Sequence, residues 1–258
     1  MLHFALTVLL LADYQPVNGL KMYYEVHGRG PHLLLLHGGT ATVATSWGEQ
    51  IPYFARSRKV IAPEQVGHGH TGDRKGPYTY ARMADDTATL LGQLGIQNAD
   101  VYGTSDGGVV GLYLAARHPS RVRKLIVVGA AFANRDPSKM AKWVDSVTPA
   151  SWPADDLYKK ISPDGGEHWP VFLRKVLTMY KTWPGLTSAE TAAIAAPTLI
   201  VIGDRDQVSL EQAAQMRKAL GGSRLCVLPG TNHGELQSRG NWLNPMIDAF
   251  LNEPVPRR

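Results

Sequence analysis

Short apolar runs alternate along this chain with segments in which apolar residues recur at helical spacing. The continuous runs His32–Leu36, Ala99–Tyr102 and Thr198–Ile202 are typical of buried strands. Between them, Thr79–Leu94 carries its apolar residues on one helical face and stops before Gly95, a common helix terminator. This alternation indicates a mostly parallel sheet with helices on both faces, so we predict an α/β fold with eight strands.

The beginning of the predicted sheet has a different pattern. Tyr14–Val17 and Leu20–Val26 flank Asn18-Gly19, a dipeptide that favours a two-residue hairpin turn. The sheet is therefore expected to open with an antiparallel pair. A single helix is predicted over Ser46–Ala55, and the last strand over Leu225–Leu228.

One stretch, residues 132–192, breaks the alternation because it contains no strand-like run. It has helical segments and many aromatic residues, which are Trp143, Trp152, Tyr158, Trp169, Tyr180 and Trp183. We predict that residues 132–192 form a small helical cap inserted between two strands of a core made of residues 1–131 and 193–258. Most of these aromatic residues are expected to form the core of the cap, and a minority to line a pocket beneath it.

The composition argues against several classes of partner and site. The net charge is +5, but the basic residues are scattered and no basic stripe with interleaved aromatic residues is present, so no nucleic-acid partner is predicted. The single cysteine, Cys226, excludes a disulfide within the chain. It lies in an apolar run, where an inert buried thiol is expected rather than a metal ligand.

The first residues are unusually apolar. Leu2–Ala12 is too short to span a bilayer as a helix, and it lacks the basic start and the clear cleavage site of a signal peptide. We treat residues 1–12 as an N-terminal extension and expect no membrane span and a cytoplasmic location. The alternative is a secreted or periplasmic protein, in which residues 1–12 are the remnant of a longer signal peptide.

The strongest chemical motif is Gly103-Thr104-Ser105-Asp106-Gly107, which matches G-x-S-x-G. A predicted strand precedes it and the apolar helix Gly107–Arg117 follows it. Serine in this context lies on a strained strand-to-helix turn that exposes its hydroxyl. We therefore predict Ser105 to be a catalytic nucleophile, against the alternative of an ordinary glycine-rich turn.

A serine hydroxyl needs a base to take its proton, and the chain has nine histidines. The base should follow the serine in the sequence and lie at the carboxyl end of a strand. His233 follows directly after the last predicted strand and meets both conditions. His118 ends a helix and His168 lies in the insertion, so neither is favoured.

The base in turn needs an acid that fixes its tautomer. The strand Thr198–Ile202 ends in Gly203-Asp204-Arg205-Asp206, which places two acids at a strand end. Asp206 lies deeper in the loop and is preferred, whereas Asp204 is expected to pair with Arg205 or nearby backbone. Asp136, which follows an earlier strand, is a third choice.

Acyl transfer also requires backbone donors for the oxyanion. The N–H of Asp106 is predicted to be one, because it follows the nucleophile. The second is expected from His37-Gly38-Gly39-Thr40, after the third strand. Gly39 is preferred because it lets the backbone approach the substrate, and Thr40 is the alternative.

One further segment could suggest a metal site. His68 and His70 lie near Asp73, but the glycines around them and their position after a strand favour a tight turn. No dinucleotide fingerprint or phosphate loop is present. No metal and no cofactor are predicted.

Together these motifs resemble the α/β-hydrolase superfamily, in particular its small capped members. The resemblance extends from about Tyr14 to Leu251 and includes the segments Leu35–Gly39, Val60–Pro63, Gly67–Gly69, Gly103–Gly108 and Gly203–Asp206 together with His233. It implies the α/β-hydrolase fold, a lid formed by the insertion, and Asp206 as the acid. Haloalkane dehalogenases and epoxide hydrolases typically place Asp where Ser105 stands, which disfavours both activities.

The expected function is hydrolysis of a small or medium carboxylic ester through an acyl-enzyme, by a serine esterase that acts as a monomer or homodimer. Its only expected partner is the small-molecule ester. Two alternatives stay open. One is a carbon–carbon bond hydrolase or lactonase with the same three side chains, and the other is a non-catalytic ligand receptor on the same fold.

Overall fold

The computed structural model describes residues 10–133, 136–149, 151–152 and 156–255. Eight strands form one sheet: β1 (Leu10–Val17), β2 (Leu20–His27), β3 (His32–Leu36), β4 (Lys59–Pro63), β5 (Ala99–Thr104), β6 (Val122–Val128), β7 (Thr198–Arg205) and β8 (Arg224–Asn232). Their order in the sheet is β1-β2-β4-β3-β5-β6-β7-β8. Strand β2 runs antiparallel to both its neighbours, and all other pairs are parallel.

The helices alternate with the strands, as the sequence predicts. They are α1 (Val43–Trp47), α2 (Gln50–Phe54), α3 (Tyr80–Gln93), α4 (Asp106–Arg117), α5 (Pro137–Ser146), α6 (Asp156–Ile161), α7 (Trp169–Thr182), α8 (Ser188–Ala193), α9 (Leu210–Ala219) and α10 (Gly240–Asn252). Short 3-10 turns lie at Pro119–Arg121, Gly166–His168, His233–Glu235 and Gln237–Arg239. None of the described helices combines the length and the apolar character that a membrane crossing needs.

The opening hairpin turns at the Asn18-Gly19 pair, where φ is +48° and +84°. Two successive positive φ values match the right-handed twist of paired strands, which is why this dipeptide closes hairpins. Strand β1 begins at Leu10, four residues before the predicted Tyr14. Residues 10–12 therefore belong to the sheet and not to the N-terminal extension, whose residues 1–9 lie outside the described part of the chain.

Side chains alternate between the two faces of the central strands. In β3, Leu33 and Leu35 pack with α1, α2 and α10, whereas Leu34 and Leu36 pack with α3, α4 and α7. All four leucines are fully buried. Burial of one such side chain contributes about 2 kcal/mol. The continuous apolar run of β3 is thus explained by helices that cover both faces of the sheet.

One predicted helix is divided in two. The segment expected to be a single helix over Ser46–Ala55 forms α1 and α2, with Gly48 at the end of α1. Pro52 explains the break, because proline has no N–H for an intrahelical bond and fits only in the first turn of a helix. It is the third residue of α2, where no such bond is needed.

Helices α5 to α8 follow one another between β6 and β7, in the region predicted to be the cap. Helix α7 contributes the buried side chains of Phe172 and Val176, and Tyr158 of α6 stacks on Phe172 with ring centroids 5.1 Å apart. These side chains share one apolar cluster with Leu34 and Leu36 of β3, so the separate core expected for the cap is not found in the described residues. Tyr180, near the end of α7, also reaches the main domain.

Candidate active site

Ser105 lies between the end of β5 and the start of α4 with φ +52° and ψ −122°. A non-glycine residue rarely adopts a positive φ, so this turn is strained. The Ser105 N–H donates to the Val128 carbonyl over 2.8 Å, which ties the turn to β6. The glycines of the motif permit the close packing, since a Cβ on Gly107 would lie 2.6 Å from the His37 oxygen.

His233 is the first residue of the 3-10 turn that follows β8. Its Nε2 lies 3.1 Å from Ser105 Oγ, although the two residues are 128 positions apart in the chain. Asn232 starts this turn by accepting the Glu235 N–H over 3.1 Å. This N-cap hydrogen bond fixes the backbone next to His233 and so helps to hold the imidazole toward the serine.

Asp206 follows β7, and its Oδ1 lies 3.0 Å from His233 Nδ1. The same oxygen accepts the Val208 N–H over 3.0 Å. The Asp206 side chain is fully buried, whereas that of His233 is 29% exposed. A carboxylate beside Nδ1 favours the tautomer that carries its proton there, which leaves the Nε2 lone pair directed at Ser105.

The other candidates for base and acid lie elsewhere. His118 pairs with Asp85 at 2.7 Å, and His168 with Asp73 at 2.9 Å. Asp204 Oδ1 accepts the Thr231 N–H over 3.1 Å, which is the backbone role expected for it. Asp136 is the N-cap residue of α5, where its carboxylate accepts the Lys139 N–H. The structure brings together Ser105, His233 and Asp206 alone of the residues weighed for these roles.

The loop after β3 forms a tight turn next to the serine. The Ala41 N–H donates to the Gly38 carbonyl over 3.3 Å, and the Thr40 N–H donates to His68 Nε2 over 3.1 Å. Among the described residues, no group accepts a hydrogen bond from the N–H of Gly39 or of Asp106. Gly39 and Asp106 therefore retain the two donors predicted for an oxyanion, whereas the donor of Thr40 is already used.

The N-terminus of α4 lies at one of these donors and favours an anion there. The Asp106 N–H is the first of α4, a helix of 12 residues. The positive end of its dipole points toward any charge held there.

The segment with His68 and Asp73 was weighed as a metal site. In the described part of the chain, no group of three or more His, Cys, Asp or Glu side chains is arranged to hold a metal ion.

The side chain of Asp106 has surroundings that sequence reasoning missed. Its Oδ1 accepts the hydroxyl of Tyr80 over 2.9 Å, and its Oδ2 accepts that of Tyr180 over 2.8 Å. A Cβ on Gly39 would lie 2.5 Å from Asp106 Oδ2 and would overlap the Tyr180 hydroxyl. The carboxyl group and one phenol therefore border the predicted oxyanion loop.

Burial raises the pKa of the Asp106 carboxyl to about 6, although the hydrogen bonds from Tyr180 and Tyr80 and the nearby His233 act in the opposite direction. Burial and the Asp106 carboxylate raise the pKa of both phenols far above the usual value, so they remain donors. The only sequence signal for this arrangement was an acidic residue at the fourth position of G-x-S-x-G.

Gln237 is a second residue that the sequence did not reveal. Its Nε2 donates to Thr104 Oγ1 over 2.7 Å, and its backbone carbonyl accepts a hydrogen bond from Gln50 Nε2 over 2.9 Å. Thr104 directly precedes the serine, and Gln237 follows His233 by four residues. This bridge ties the histidine loop to the end of β5.

Comparison with known proteins identifies the same fold. A family model described as the alpha/beta hydrolase fold matches residues 31–150, which include the strained serine turn. The solved enol-lactonase from Burkholderia xenovorans LB400 superposes with a TM-score of 0.77 at 22% identity, covering 93% of this chain and 100% of that one. The chain has the α/β-hydrolase fold. The predicted fold class, an eight-stranded and mostly parallel α/β-hydrolase sheet, is confirmed.

Several curated relatives are themselves named as hydrolases. Serine hydrolase BPHL of Mus musculus is 27% identical over 249 residues, which cover 91% of this chain and 84% of the relative. A 2-hydroxymuconate semialdehyde hydrolase of Pseudomonas sp. strain CF600 is 37% identical over 117 residues. That match covers 44% of this chain and spans about two fifths (41%) of the length of the relative.

Proposed function

We propose that this α/β-hydrolase cleaves a small or medium carboxylic ester through an acyl-enzyme. The observation that carries the proposal is the continuous set of contacts from Ser105 Oγ through the His233 imidazole to the buried Asp206 carboxylate, at 3.1 and 3.0 Å. Geometry of this kind lets the imidazole accept the serine proton as the hydroxyl attacks a carbonyl carbon.

In the proposed reaction, Ser105 Oγ forms a bond to the ester carbonyl carbon while its proton moves to His233 Nε2. The N–H groups of Gly39 and Asp106 hold the resulting oxyanion. The imidazolium then protonates the leaving alcohol as the C–O bond breaks. Water then loses a proton to the same nitrogen and attacks the acyl carbon. The bond to Ser105 Oγ breaks, the imidazolium returns the proton to Oγ, and the carboxylic acid is released.

The charge on Asp106 bears on which acyl groups the site would accept. An ionised Asp106 beside the oxyanion loop would repel the negative charge that develops on the substrate oxygen. Each oxygen of the carboxylate accepts one phenol and keeps further acceptor capacity. A substrate with a protonated amine close to its carbonyl would neutralise this charge, so we propose a preference for esters whose acyl part carries an ammonium group.

The proposal is tested with p-nitrophenyl acetate and butyrate. The parent should hydrolyse both, and Ser105→Ala should retain less than about 1% of the parental kcat, since removal of the nucleophile abolishes acyl transfer. A fluorophosphonate probe should label the parent and not the variant. Equal turnover by the parent and Ser105→Ala would contradict the assignment.

A second candidate reaction uses the same three side chains. The alternative is a carbon–carbon bond hydrolase or lactonase. It is favoured by the similarity to a protein named as a 2-hydroxymuconate semialdehyde hydrolase and to a solved structure described as an enol-lactonase. Turnover of a vinylogous diketone and of a lactone, measured beside the esters, separates these reactions. A protein that turns over none of them and resists fluorophosphonate would instead be a ligand receptor.

A further inference from the structure

Thr40 has a backbone conformation that its side chain disfavours. In the described part of the chain, only Asn18, Thr40 and Ser105 combine a side chain with a positive φ, and that of Thr40 is +54°. A β-branched residue in the left-handed region is strained. Thr40 is the third residue of the turn closed by Gly38 and Ala41, a position that usually needs glycine or asparagine when φ is positive.

A buried histidine holds this turn. His68 Nε2 accepts the Thr40 N–H over 3.1 Å. The His68 ring is itself fixed, because its Nδ1 lies 3.0 Å from the Val66 carbonyl, which can only accept. His68 is 3% exposed, and burial, together with the nearby His37, lowers its pKa to about 3. The ring is therefore neutral at ordinary pH and presents Nε2 as a permanent acceptor.

The contact decides how the adjacent peptide is oriented. Because His68 engages the Thr40 N–H, the donor that the turn leaves for a ligand is the N–H of Gly39. Without this acceptor, Thr40 would relieve its strain by leaving the left-handed region, and the Gly39 peptide would rotate with it. An oxyanion donor works only when it is oriented before the reaction.

We propose that His68 is a positioning residue for the oxyanion loop, which holds Thr40 in its left-handed conformation and thereby aims the Gly39 N–H at the substrate oxygen. This inference rests on the proposed ester hydrolysis. It assigns a role to a histidine that does not touch the substrate, and to a strained residue beside the site.

His68 also packs against other rings, with centroids 4.8 Å from Phe172 and 4.9 Å from His37. A role in packing alone must therefore be distinguished from a role through Thr40. His68→Leu keeps apolar volume and removes the acceptor, whereas His68→Gln keeps an acceptor oxygen. Thr40→Gly removes the strain, because glycine adopts a positive φ at no steric cost.

The experiment measures kcat and KM for p-nitrophenyl butyrate in His68→Leu, Thr40→Gly and the double variant. We expect His68→Leu to lower kcat by about 10-fold or more with KM changed less than about 3-fold, as for loss of an oriented oxyanion donor. In the Thr40→Gly background, the loss should shrink by about 5-fold or more, because glycine holds the turn unaided. Equal losses in both backgrounds would overturn the proposal in favour of packing.

Should His68→Leu fail to fold, His68→Gln replaces it in the same cycle. A retained acceptor should keep kcat within about 5-fold of the parent. A folded His68→Gln that loses activity equally with Thr40 and with glycine at position 40 overturns the proposal.

Amide hydrogen exchange supplies a readout that does not depend on catalysis. The Thr40 amide should exchange slowly in the parent and about 10-fold faster or more in His68→Leu, since a hydrogen-bonded amide is protected. Rapid exchange in the parent would exclude the contact itself. If the parent instead shows no turnover that depends on Ser105, the proposed ester hydrolysis fails while the exchange result still reports on the loop.

Discussion

His233 Nε2 and Ser105 Oγ lie 3.1 Å apart at the carboxyl ends of two strands that are not neighbours in the sheet. Strands β6 and β7 separate β5 from β8, and β7 supplies Asp206 from between them. Parallel strands bring their carboxyl ends to one edge, so residues distant in sequence meet there. Substitutions of Ser105, Asp206 and His233 are therefore expected to change catalysis more than stability.

The acid of the set is tested by Asp206→Asn. The amide carries no charge to stabilise the imidazolium and no longer favours the tautomer with the proton on Nδ1, so kcat should fall by about 10³-fold or more with little change in KM. Steady-state kinetics with p-nitrophenyl butyrate measure both constants.

Asp204→Asn is the matched control. Asp204 belongs to the same loop, is exposed, and accepts backbone hydrogen bonds from Thr231 and Gly230. An amide oxygen accepts these bonds equally well, so kcat should stay within about 3-fold of the parent. A larger loss in Asp204→Asn than in Asp206→Asn would exchange the two roles.

The oxyanion loop is tested by Gly39→Ala. The added methyl group would lie 2.5 Å from Asp106 Oδ2 and would overlap the Tyr180 hydroxyl, so the loop must move. We expect kcat/KM to fall by about 100-fold, the loss associated with one oxyanion donor. At Gly38, a Cβ would lie 3.4 Å from Ser105 Cβ, an ordinary contact, so Gly38→Ala should lose less than about 10-fold. Comparable losses in the two variants would argue against Gly39 as the donor.

The proposed ammonium preference is tested by Asp106→Asn. A glycine p-nitrophenyl ester and its N-acetylated form differ in the charge next to the carbonyl. The parent should prefer the free amine, and Asp106→Asn should reduce that ratio of kcat/KM by about 10-fold or more, because a charge-assisted contact contributes about 1.5–3 kcal/mol. An unchanged ratio would show that the Asp106 carboxylate does not bind the ammonium group of the substrate.

The difference in stability between Asp106→Asn and the parent should depend on pH. The pKa of Asp106 is raised in the folded state from 3.8 to about 6, so the folded protein binds this proton more tightly than the unfolded chain. Its contribution to the free energy of unfolding is greatest below pH 4 and is lost as the pH rises to 6. Asp106→Asn should therefore gain stability relative to the parent between pH 4 and pH 7, by up to about 3 kcal/mol.

Asp85→Asn provides a control of opposite sign. Although partial burial acts against it, hydrogen bonds from Arg117 and His118 lower the pKa of Asp85. The contribution of Asp85 is present above pH 4 and is lost as the pH falls further, so Asp85→Asn should lose stability relative to the parent as pH rises. Urea unfolding at several pH values measures both variants. If the stability of both variants relative to the parent changed with pH in the same direction, the pKa of Asp106 would not be raised in the folded protein.

Sequence patterns located the site through strand ends. Ser105, Asp206 and His233 each follow an apolar run, and the rule that parallel strands finish at one edge was enough to predict their meeting. Local chemistry was enough for the Asn18-Gly19 turn as well. Where the outcome depended on a proline within a helical pattern, as at Pro52, the predicted helix over Ser46–Ala55 was wrong.

Contacts between distant side chains could not be predicted in this way. Tyr80 and Tyr180 come from different helices and meet only at Asp106, and nothing in their own sequence neighbourhoods distinguishes them from tyrosines of the core. From the sequence, His68 looked like a turn residue or a metal ligand. Its partner in the structure is the Thr40 N–H, whose orientation depends on a strained turn that the sequence does not show. Periodicity reports which face a residue occupies and not which polar atom it meets.

Tyr180 is the contact through which the helices between β6 and β7 reach the nucleophile turn. Exchanging this segment for the corresponding one of another relative would leave Ser105, Asp206 and His233 in place, yet it would remove one of the two phenols that Asp106 binds. Such chimaeras would then differ in the ionisation of the site as well as in its shape. In this protein, a change in the helical insert would thus also change the acidity of the residue beside the nucleophile.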